Sequence, residues 1–339
     1  MKKIGLITGI IVFVFSILAV WVTSEVNGEA QQKNMNESTK LGTAMPSLRS
    51  KRTHSRTMLD PLAVSLESLN IVSMNLAGCQ PSRSAPWDWN QQTSTDAVRT
   101  EISKSNPDII ALQECPGGVK WAERVFGDSY HALGAAHSHA NQVVLLVKTG
   151  IQAELVPLPG LPAVMIELQY GDNRRLLMAS VHLAPFKQGD NKRRSQVESL
   201  LKQASPRSYP LLFAGDTNMR TSEDDVMQGD LQLLDVWKLA GSNPATEFTW
   251  DTIDHGRSGG FFNQYYGEDT RQYTARYDRI YVFTANSSIE VEYAPSFELI
   301  ANQPMTSKLD FLSDHFGMSS QINLKWKNRT SAHVVVAHH

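Results

Sequence analysis

The chain has 339 residues, 41% of them hydrophobic, and a formal net charge of −2 at pH 7. This length suits one large domain with appendages, or two modest domains. The only two cysteines, Cys79 and Cys115, exclude a disulfide-rich scaffold and a zinc site built from several cysteines. Basic residues are concentrated before residue 57, so the rest of the chain is acidic. We therefore do not expect its whole surface to bind nucleic acid electrostatically.

Residues 1–30 have the pattern of a targeting segment. Lys2 and Lys3 precede an uncharged apolar run at 4–22. This pattern predicts a secretory signal peptide or, because the run is just long enough to span a bilayer, a signal anchor. With the lysines on the cytoplasmic side, we expect a secreted or single-pass membrane-anchored protein whose catalytic part lies outside the cell or in a lumen. Residues 31–66 are polar and basic and predict a disordered linker.

From residue 67 the chain alternates short apolar runs of strand type with polar or Gly/Pro-containing stretches. One helix is predicted to start near Thr95 or Asp96 and to end before Pro107, and a second to cover about 190–204. This pattern predicts one α/β sandwich of two packed sheets flanked by helices over residues 67–327, with a tail at 328–339. The predicted strands are 69–75, 108–114, 142–148, 163–169, 175–183, 210–215, 278–284, 289–294 and 320–326.

Polar side chains stand where several of these strands end or begin. Burying isolated charges is costly unless they are paired or bind a metal, so the repeated pattern predicts a shared site. Carboxylates and amides without a cysteine motif favour Mg²⁺ or Mn²⁺ over structural zinc. The residues of this set are Asn75, Glu114, His182, Asp216, Asn218, Asp278, Asp314 and His315.

The ordered motifs "MNLAG", "ALQE", "SVHL", "GDTN", "YDRIYV" and "SDH" resemble the endonuclease/exonuclease/phosphatase superfamily over about residues 69–322. Within it, "LLDVWKLAG…EFTWDT", "GDTNMR" and "RYDRIYV" are most similar to the type-2 tyrosyl-DNA phosphodiesterases. That branch hydrolyses the bond between a tyrosine and a 5′-phosphate of DNA. The resemblance implies a four-layer αββα sandwich of two mixed sheets, with the site at one edge of the paired sheets. It implies a metal-dependent phosphodiesterase.

The resemblance also implies a Mg²⁺ site, with Mn²⁺ as a possible substitute. Glu114 is the expected metal ligand, with Asn75 holding the same region through metal-bound water or phosphate, and Asp314 supporting the metal shell. Many members of the superfamily have an acidic residue at the position of Ala77, so one metal ion is expected here.

The remaining residues of the set receive catalytic roles. Asp216 would orient and deprotonate the attacking water, and Asn218 would fix that water or stabilise the charged phosphorus centre. His182 and His315 would donate to phosphate oxygens, with Asp278 holding the His315 ring in one tautomer.

Three arginines near the motifs, Arg193, Arg220 and Arg276, are predicted to bind substrate phosphate. Arg193 belongs to a basic cluster that would equally fit a solvated helix start. Trp237 and Trp250 could stack on bases, but core packing is expected for each. The aromatic stretch at 261–266 is a better predicted contact with substrate.

Other functions fit the same set of residues. An exported chain could be a non-specific nuclease, or a phosphodiesterase of lipids or small molecules similar to the sphingomyelinases. A non-catalytic binding module is disfavoured because Glu114, Asp216 and His315 are all present. Cys79 and Cys115 are both expected beside the site, either as a disulfide or as two free thiols.

Overall fold

Two mixed β-sheets pack face to face, and helices cover their outer surfaces. The computed structural model describes residues 68–79, 90–134, 142–170, 174–253, 273–284, 289–291, 296–304 and 311–326. All of them fall within the unit Asp60–His339.

The first sheet has seven strands in the described residues. Their order is β13–β15–β1–β2–β4–β3, and β14 also pairs with β15. β1 and β2 run parallel with Asn75 opposite Gln113, whereas β15 is antiparallel to β1. The strands are β1 (Ser68–Asn75), β2 (Ile109–Gln113), β3 (Tyr130–Gly134), β4 (Val144–Lys148), β13 (Ile289–Val291), β14 (Ser296–Ile300) and β15 (Gly317–Trp326).

The second sheet has six strands in the order β5–β6–β7–β8–β12–β9. β7 and β8 run parallel with His182 opposite Asp216, and the antiparallel β12 places Asp278 opposite the same Asp216. The strands are β5 (Gln152–Val156), β6 (Ala163–Tyr170), β7 (Arg174–His182), β8 (Leu211–Asp216), β9 (Leu234–Asp235) and β12 (Asp278–Phe283). A separate two-stranded ribbon joins β10 (Trp250–Asp251) to β11 (Thr274–Ala275).

Four α-helices occur in the described residues. They are α1 (Gln91–Lys104), α2 (Val119–Phe126), α3 (Asp190–Ala204) and the single turn α4 (Val236–Leu239). The first begins earlier than the sequence predicts because the Asn90 side chain accepts from the backbone N–H groups of Gln92 and Thr93, which caps the helix. The third coincides with its prediction.

Alternating side chains of the strands build three hydrophobic layers. Ile109 and Ala111 of β2 face the second sheet, where Ile166 and Met178 belong to the same cluster. Their neighbours Ile110 and Leu112 instead pack with Val98 and Ile102 of α1 and Trp121 of α2. On the far side, Val197 and Leu200 of α3 pack with Ala179 and Phe213 of the second sheet. The order of layers is therefore αββα, which confirms the predicted α/β sandwich.

Gly215 permits the close approach of the two central parallel strands. Its φ is +150°, and a Cβ there would lie 2.0 Å from the carbonyl oxygen of Val181. Any larger residue would push β8 away from β7 just before the His182–Asp216 pair. The glycine that ends the apolar run therefore has a packing role next to the site.

Several predictions fall outside the described residues: the targeting segment at 1–30, the linker at 31–66, the tail at 328–339 and the aromatic stretch at 261–266. Over the residues that are described, no helix is long and apolar enough to cross a membrane.

Candidate active site

The topology brings the polar strand ends to one edge of the sandwich. The carboxyl ends of β1 and β2 carry Asn75 and Glu114, and those of β7 and β8 carry His182 and Asp216. Because β12 and β15 run antiparallel to their neighbours, the residues at their starts reach the same edge. These are Asp278, which begins β12, and Asp314 and His315, which precede β15.

Asn75 connects the two sheets at this edge. Its Nδ2 donates to Glu114 Oε1 at 3.2 Å and to Asp216 Oδ2 at 3.1 Å. Its Oδ1 accepts from the backbone N–H of Ala77 at 3.0 Å, which fixes the orientation of the amide. The Ser313 hydroxyl also donates to the carbonyl of Asn75 at 2.7 Å. Asn75 therefore positions two carboxylates from different sheets.

Asp278, His315 and Asp216 form a buried chain of polar contacts. His315 Nδ1 lies 2.7 Å from Asp278 Oδ2, and His315 Nε2 lies 3.9 Å from Asp216 Oδ2. The backbone N–H of Asp278 donates to the hydroxyl of Thr249 at 3.0 Å. With Nδ1 engaged by a carboxylate, Nε2 is the nitrogen directed toward Asp216.

His182 approaches Asp216 from the neighbouring strand. Its Nε2 lies 3.4 Å from Asp216 Oδ2 and 3.9 Å from Glu114 Oε1. Asn218 closes the other side, since its backbone N–H donates to Asp216 Oδ1 at 2.9 Å and its Nδ2 donates to the carbonyl of Leu183 at 3.2 Å. Asp216 thus contacts three candidate site residues besides His315.

Burial and mutual charge shift the acid–base behaviour of these groups. Burial raises the pKa of Asp216, and nearby Asp278 raises it further, against the opposing effect of His315. The pKa of Glu114 is also raised, mainly by burial and then by the charge of Asp314, although His182 opposes this. Burial disfavours the charged form of His315, but Asp278 and Asp216 outweigh it and raise its pKa well above 6.5. These directions favour the imidazolium form of His315 beside the Asp216 carboxyl group.

Histidines are the partners of three carboxylates at this edge. Among the described residues, the ion pairs of Glu114, Asp216 and Asp278 are formed with His182 and His315. Donor atoms of Asp216, Asp278 and His315 all lie within 4.8 Å of one another, so these three buried side chains could hold a metal ion. Such clustered carboxylates fit the donor set of a bound divalent cation.

A pocket of about 740 Å³ opens over these residues, within the size range of small-ligand sites. Trp250 is mostly buried, yet it forms part of the pocket wall and contacts the His315 ring edge to face, with 5.2 Å between centroids. Arg220 lies 4.6 Å above the ring of Tyr277. The lining residues are Glu114, His182, Pro185, Phe186, Lys187, Gln188, Asp216, Asn218, Arg220, Trp250, Tyr273, Tyr277, Asp314 and His315.

Two of the three predicted substrate arginines lie elsewhere, which corrects that prediction. Arg193 is fully buried and pairs with Glu223 through both Nε (2.9 Å) and Nη2 (2.6 Å). Arg276 is buried against Asp235 and Asp224. Internal carboxylates neutralise both guanidinium groups, so neither faces the pocket. Arg220 does line it.

The aromatic side of the pocket was largely missed by the sequence prediction. Tyr277 directly precedes Asp278, and Phe186 lies four residues after His182. Closeness in sequence to the motif residues is the signal that could have identified these two aromatic residues. Trp250 was expected in the core, and it combines burial with a pocket-lining edge. Trp237 is buried beneath Arg276, as expected for core packing.

The two cysteines are free and buried. Burial raises the pKa of the Cys79 thiol to about 12 and raises that of Cys115 as well. Both therefore remain protonated near neutral pH. Of the two sequence alternatives, the structure shows free thiols.

Solved structures share this fold. TDP2 of D. rerio in complex with a single-strand DNA product aligns with a TM-score of 0.58 and 20% identity, over 76% of this chain and 99% of that chain. The catalytic domain of human Nocturnin with bound sulfate aligns with a TM-score of 0.52 and 15% identity, over 76% of this chain and 95% of that chain.

Curated relatives are similar in sequence. Tyrosyl-DNA phosphodiesterase 2 of Homo sapiens is 25% identical over 240 residues, 67% of this chain and 62% of the relative. The 5′-tyrosyl-DNA phosphodiesterase of Caenorhabditis briggsae is 24% identical over 274 residues, 74% of this chain and 68% of the relative. The chain spans only about three fifths of the length of several of these proteins. The predicted likeness to tyrosyl-DNA phosphodiesterases is confirmed.

The prediction of a secreted or membrane-anchored protein is wrong. The curated relatives of this chain are enzymes named for action on tyrosyl-DNA. Their names do not support the signal peptide or membrane contact predicted at the N-terminus.

The family model described as "Endonuclease/Exonuclease/phosphatase family" matches residues 72–315. This span begins within β1 and ends at His315, so it contains all eight polar residues of the candidate site. The chain belongs to the Endonuclease/Exonuclease/phosphatase family.

Proposed function

We propose that the chain is a Mg²⁺-dependent phosphodiesterase that hydrolyses the bond between a tyrosine and a 5′-phosphate of DNA. The observation that carries the proposal is the position of Asp216, whose carboxylate is approached by His182, His315 and the Asn75 amide at one pocket edge. The catalytic unit would comprise residues 67–327.

Asp216 would act as the general base. A carboxylate whose pKa is raised by burial is better matched to proton transfer near neutral pH than an exposed one. Hydrogen bonds from Asn75 and from the backbone of Asn218 fix its two oxygens, so its orientation is set before substrate binds. Asn218 would hold the attacking water or the phosphate beside it.

His315 and His182 would donate to phosphate oxygens. The raised pKa of His315 favours the imidazolium form, which is a strong donor to an anion. Asp278 holds that ring through Nδ1 and leaves Nε2 for the reaction. Arg220, on the same pocket wall, would contribute a further positive charge.

Glu114 is the proposed principal ligand of Mg²⁺, although donor atoms of Asp216, Asp278 and His315 lie within 4.8 Å of one another. The 2.7 Å contact between Asp278 and His315 is a hydrogen bond that a cation would have to break. The Glu114 side chain is 35% exposed, against 3% for Asp216, so it offers the open site in which Mg²⁺ keeps several waters. Asn75 would orient Glu114, and Asp314 would support the metal shell. A bound cation would neutralise a non-bridging phosphate oxygen and the developing charge.

The tyrosyl-DNA substrate is proposed from the named relatives and from the pocket chemistry. Aromatic side chains stand beside the phosphate-directed groups, as expected for a substrate that links an aromatic or heterocyclic ring to phosphate. Such an activity would serve the repair of protein–DNA adducts.

The test uses the full chain with Mg²⁺ and three substrates: a 5′-phosphotyrosyl oligonucleotide, the same strand without tyrosine, and sphingomyelin. We expect release of tyrosine and no internal cutting of the plain strand. Asp216→Asn should lower the rate by about 10²–10⁴-fold, the usual contribution of a general base. Asp225 is exposed, so Asp225→Asn serves as the matched control and should leave the rate of hydrolysis unchanged.

Other results would redirect the assignment. Cutting of the plain strand would indicate a nuclease, and cleavage of sphingomyelin alone would indicate a lipid phosphodiesterase. A folded, metal-supplemented protein that leaves all three substrates intact would contradict the proposed catalytic function.

A further inference from the structure

Phe186 is an exposed aromatic residue on the wall of the pocket. Its relative exposure is 72%, above that of Leu155 (47%), Ile253 (47%) and Leu234 (39%), the other exposed large hydrophobic residues described. It lines the same pocket as Asp216 and His315. A single exposed phenyl ring is ordinary on a protein surface, so its importance depends on how it is held.

The backbone of Phe186 has an unusual conformation. Its φ is 66° and its ψ is 160°, a region that is essentially restricted to glycine. A residue with a Cβ keeps such a conformation only where the surrounding structure enforces it, and such sites cluster where ligands bind. The backbone of Phe186 is therefore held by contacts with the surrounding structure.

Arg193 supplies that constraint. Its Nη1 donates to the carbonyls of Ala184 at 2.8 Å and of Phe186 at 2.7 Å. The backbone N–H of Gly189 also donates to the carbonyl of Phe186 at 3.1 Å. Because the guanidinium is fully buried and bidentate to Glu223, it cannot follow the loop into solvent.

The same ion pair also holds the backbone of a second pocket-lining residue, Arg220. Glu223 Oε1, which accepts from Arg193, accepts in addition from the backbone N–H of Arg220 at 2.9 Å. One buried pair thus holds the backbone of two pocket-lining residues, Phe186 and Arg220. Lys187, next to Phe186, adds a second cation to the wall.

We propose that Phe186 stacks on a nucleobase of single-stranded DNA whose terminal phosphate is bound at Asp216 and His315. Every base presents a π-face to an aromatic ring, and flanking cations match the phosphates of the strand. The carbonyl of Leu183 accepts from Asn218, and Phe186 is three residues further on, within about 10 Å of extended chain. This distance suits a base attached to the bound phosphate. The proposal rests on the proposed DNA substrate.

The test measures binding by fluorescence anisotropy, with Asp216→Asn as background to prevent turnover. Two 5′-phosphorylated single strands are compared, one with all its bases and one with a tetrahydrofuran abasic site as its 5′-terminal nucleotide. Phe186→Ala should weaken binding of the complete strand on the order of ten-fold and leave binding of the abasic strand unchanged. Phe186→Trp should retain the affinity, whereas Phe186→Leu, which keeps apolar bulk without a ring, should behave as Phe186→Ala.

Equal losses on both strands, or no loss on either, would overturn the stacking role, as would failure of the parent protein to bind the complete strand. Hydrolysis of the tyrosyl-linked strand by the wild-type chain is measured in parallel. If the wild-type chain leaves that strand intact but the binding pattern appears, the proposed function fails and the stacking role stands. Binding of the tyrosyl-linked strand is measured by anisotropy with the same variants, and a loss confined to it would place the ring against the tyrosine and overturn base stacking.

Discussion

Replacing Arg193 by methionine tests whether this buried guanidinium supports the fold or meets the substrate. The substitution removes every hydrogen bond that the guanidinium makes to Glu223, Ala184 and Phe186. It leaves Glu223, which is 9% exposed, as a buried carboxylate without its cation. Breaking a buried ion pair on one side costs about 3–5 kcal/mol. At about 2–4 °C per kcal/mol for a domain of this size, the Tm should fall by about 6–20 °C.

The assay is thermal unfolding of the full chain, followed by circular dichroism, with three variants. Arg193→Met should show the full decrease, whereas the double variant Arg193→Met with Glu223→Gln should recover part of it because no buried charge remains unpaired. Arg194→Met is the matched control, since Arg194 is 43% exposed and pairs with the exposed Glu198. An exposed pair contributes about 1 kcal/mol or less, so the Tm of this control should change by less than about 4 °C.

Kinetics on the tyrosyl-linked strand separate the two interpretations. If Arg193 bound phosphate directly, its loss would raise KM while the Tm remained that of the wild-type chain. An unchanged Tm for Arg193→Met would refute the argument that this ion pair holds the loop and the Arg220 backbone together.

Three further substitutions test the metal site, the strand register and the acid stability. Glu114→Gln should weaken Mn²⁺ binding, measured by electron paramagnetic resonance, by about ten-fold or more, because changes outside the ligand shell already cost about that much. Unchanged binding would indicate that Asp216, Asp278 and His315 hold the ion instead. Gly215→Ala should cost about 2 kcal/mol or more in urea unfolding because its Cβ would meet the Val181 carbonyl at 2.0 Å, and wild-type stability would contradict that register. Burial opposes ionisation of Asp224, but Arg279, Arg276 and Lys238 outweigh it and lower its pKa. The stability contributed by ionised Asp224 should therefore be complete above the unfolded-state pKa of about 3.9. It should be lost as the pH falls through the lower pKa of the folded state. The stability difference between wild-type and Asp224→Asn should shrink over that acid range, and a difference independent of pH would argue against the ion pairs.

The buried strands were predictable because their apolar runs are long and uninterrupted. β6, β7, β8 and β12 lie within a residue or two of the predicted ranges. By contrast, the sequence does not predict β5, because it is an edge strand whose residues are mostly exposed. Such a strand has no continuous apolar run. The helix α2 was missed because its eight residues cover barely two turns, too few for a clear period.

The site was predictable to the extent that its members stand at strand ends. A carboxylate at the end of a buried run, such as Glu114 or Asp216, indicates that this strand end belongs to a functional site. The indication holds whichever strands pair with it. The arginines gave no such signal, since nothing local shows whether a cation meets solvent or an internal partner. Arg193 and Glu223 are 30 residues apart, and their pairing arises only when α3 packs on the second sheet.

The contact between the first and last described strands has a consequence for biosynthesis. β1 pairs with β15, and the Ser313 hydroxyl reaches the Asn75 carbonyl across a sequence separation of 238 residues. At about 5–20 residues per second, a ribosome would need on the order of 10–50 s between making these two partners. A nascent chain, or one cut short by a premature stop codon before this segment, lacks Asp314 and His315 as well as the partner of β1. The pocket therefore cannot form until residue 315 has been synthesised, and chains that stop before this residue lack it.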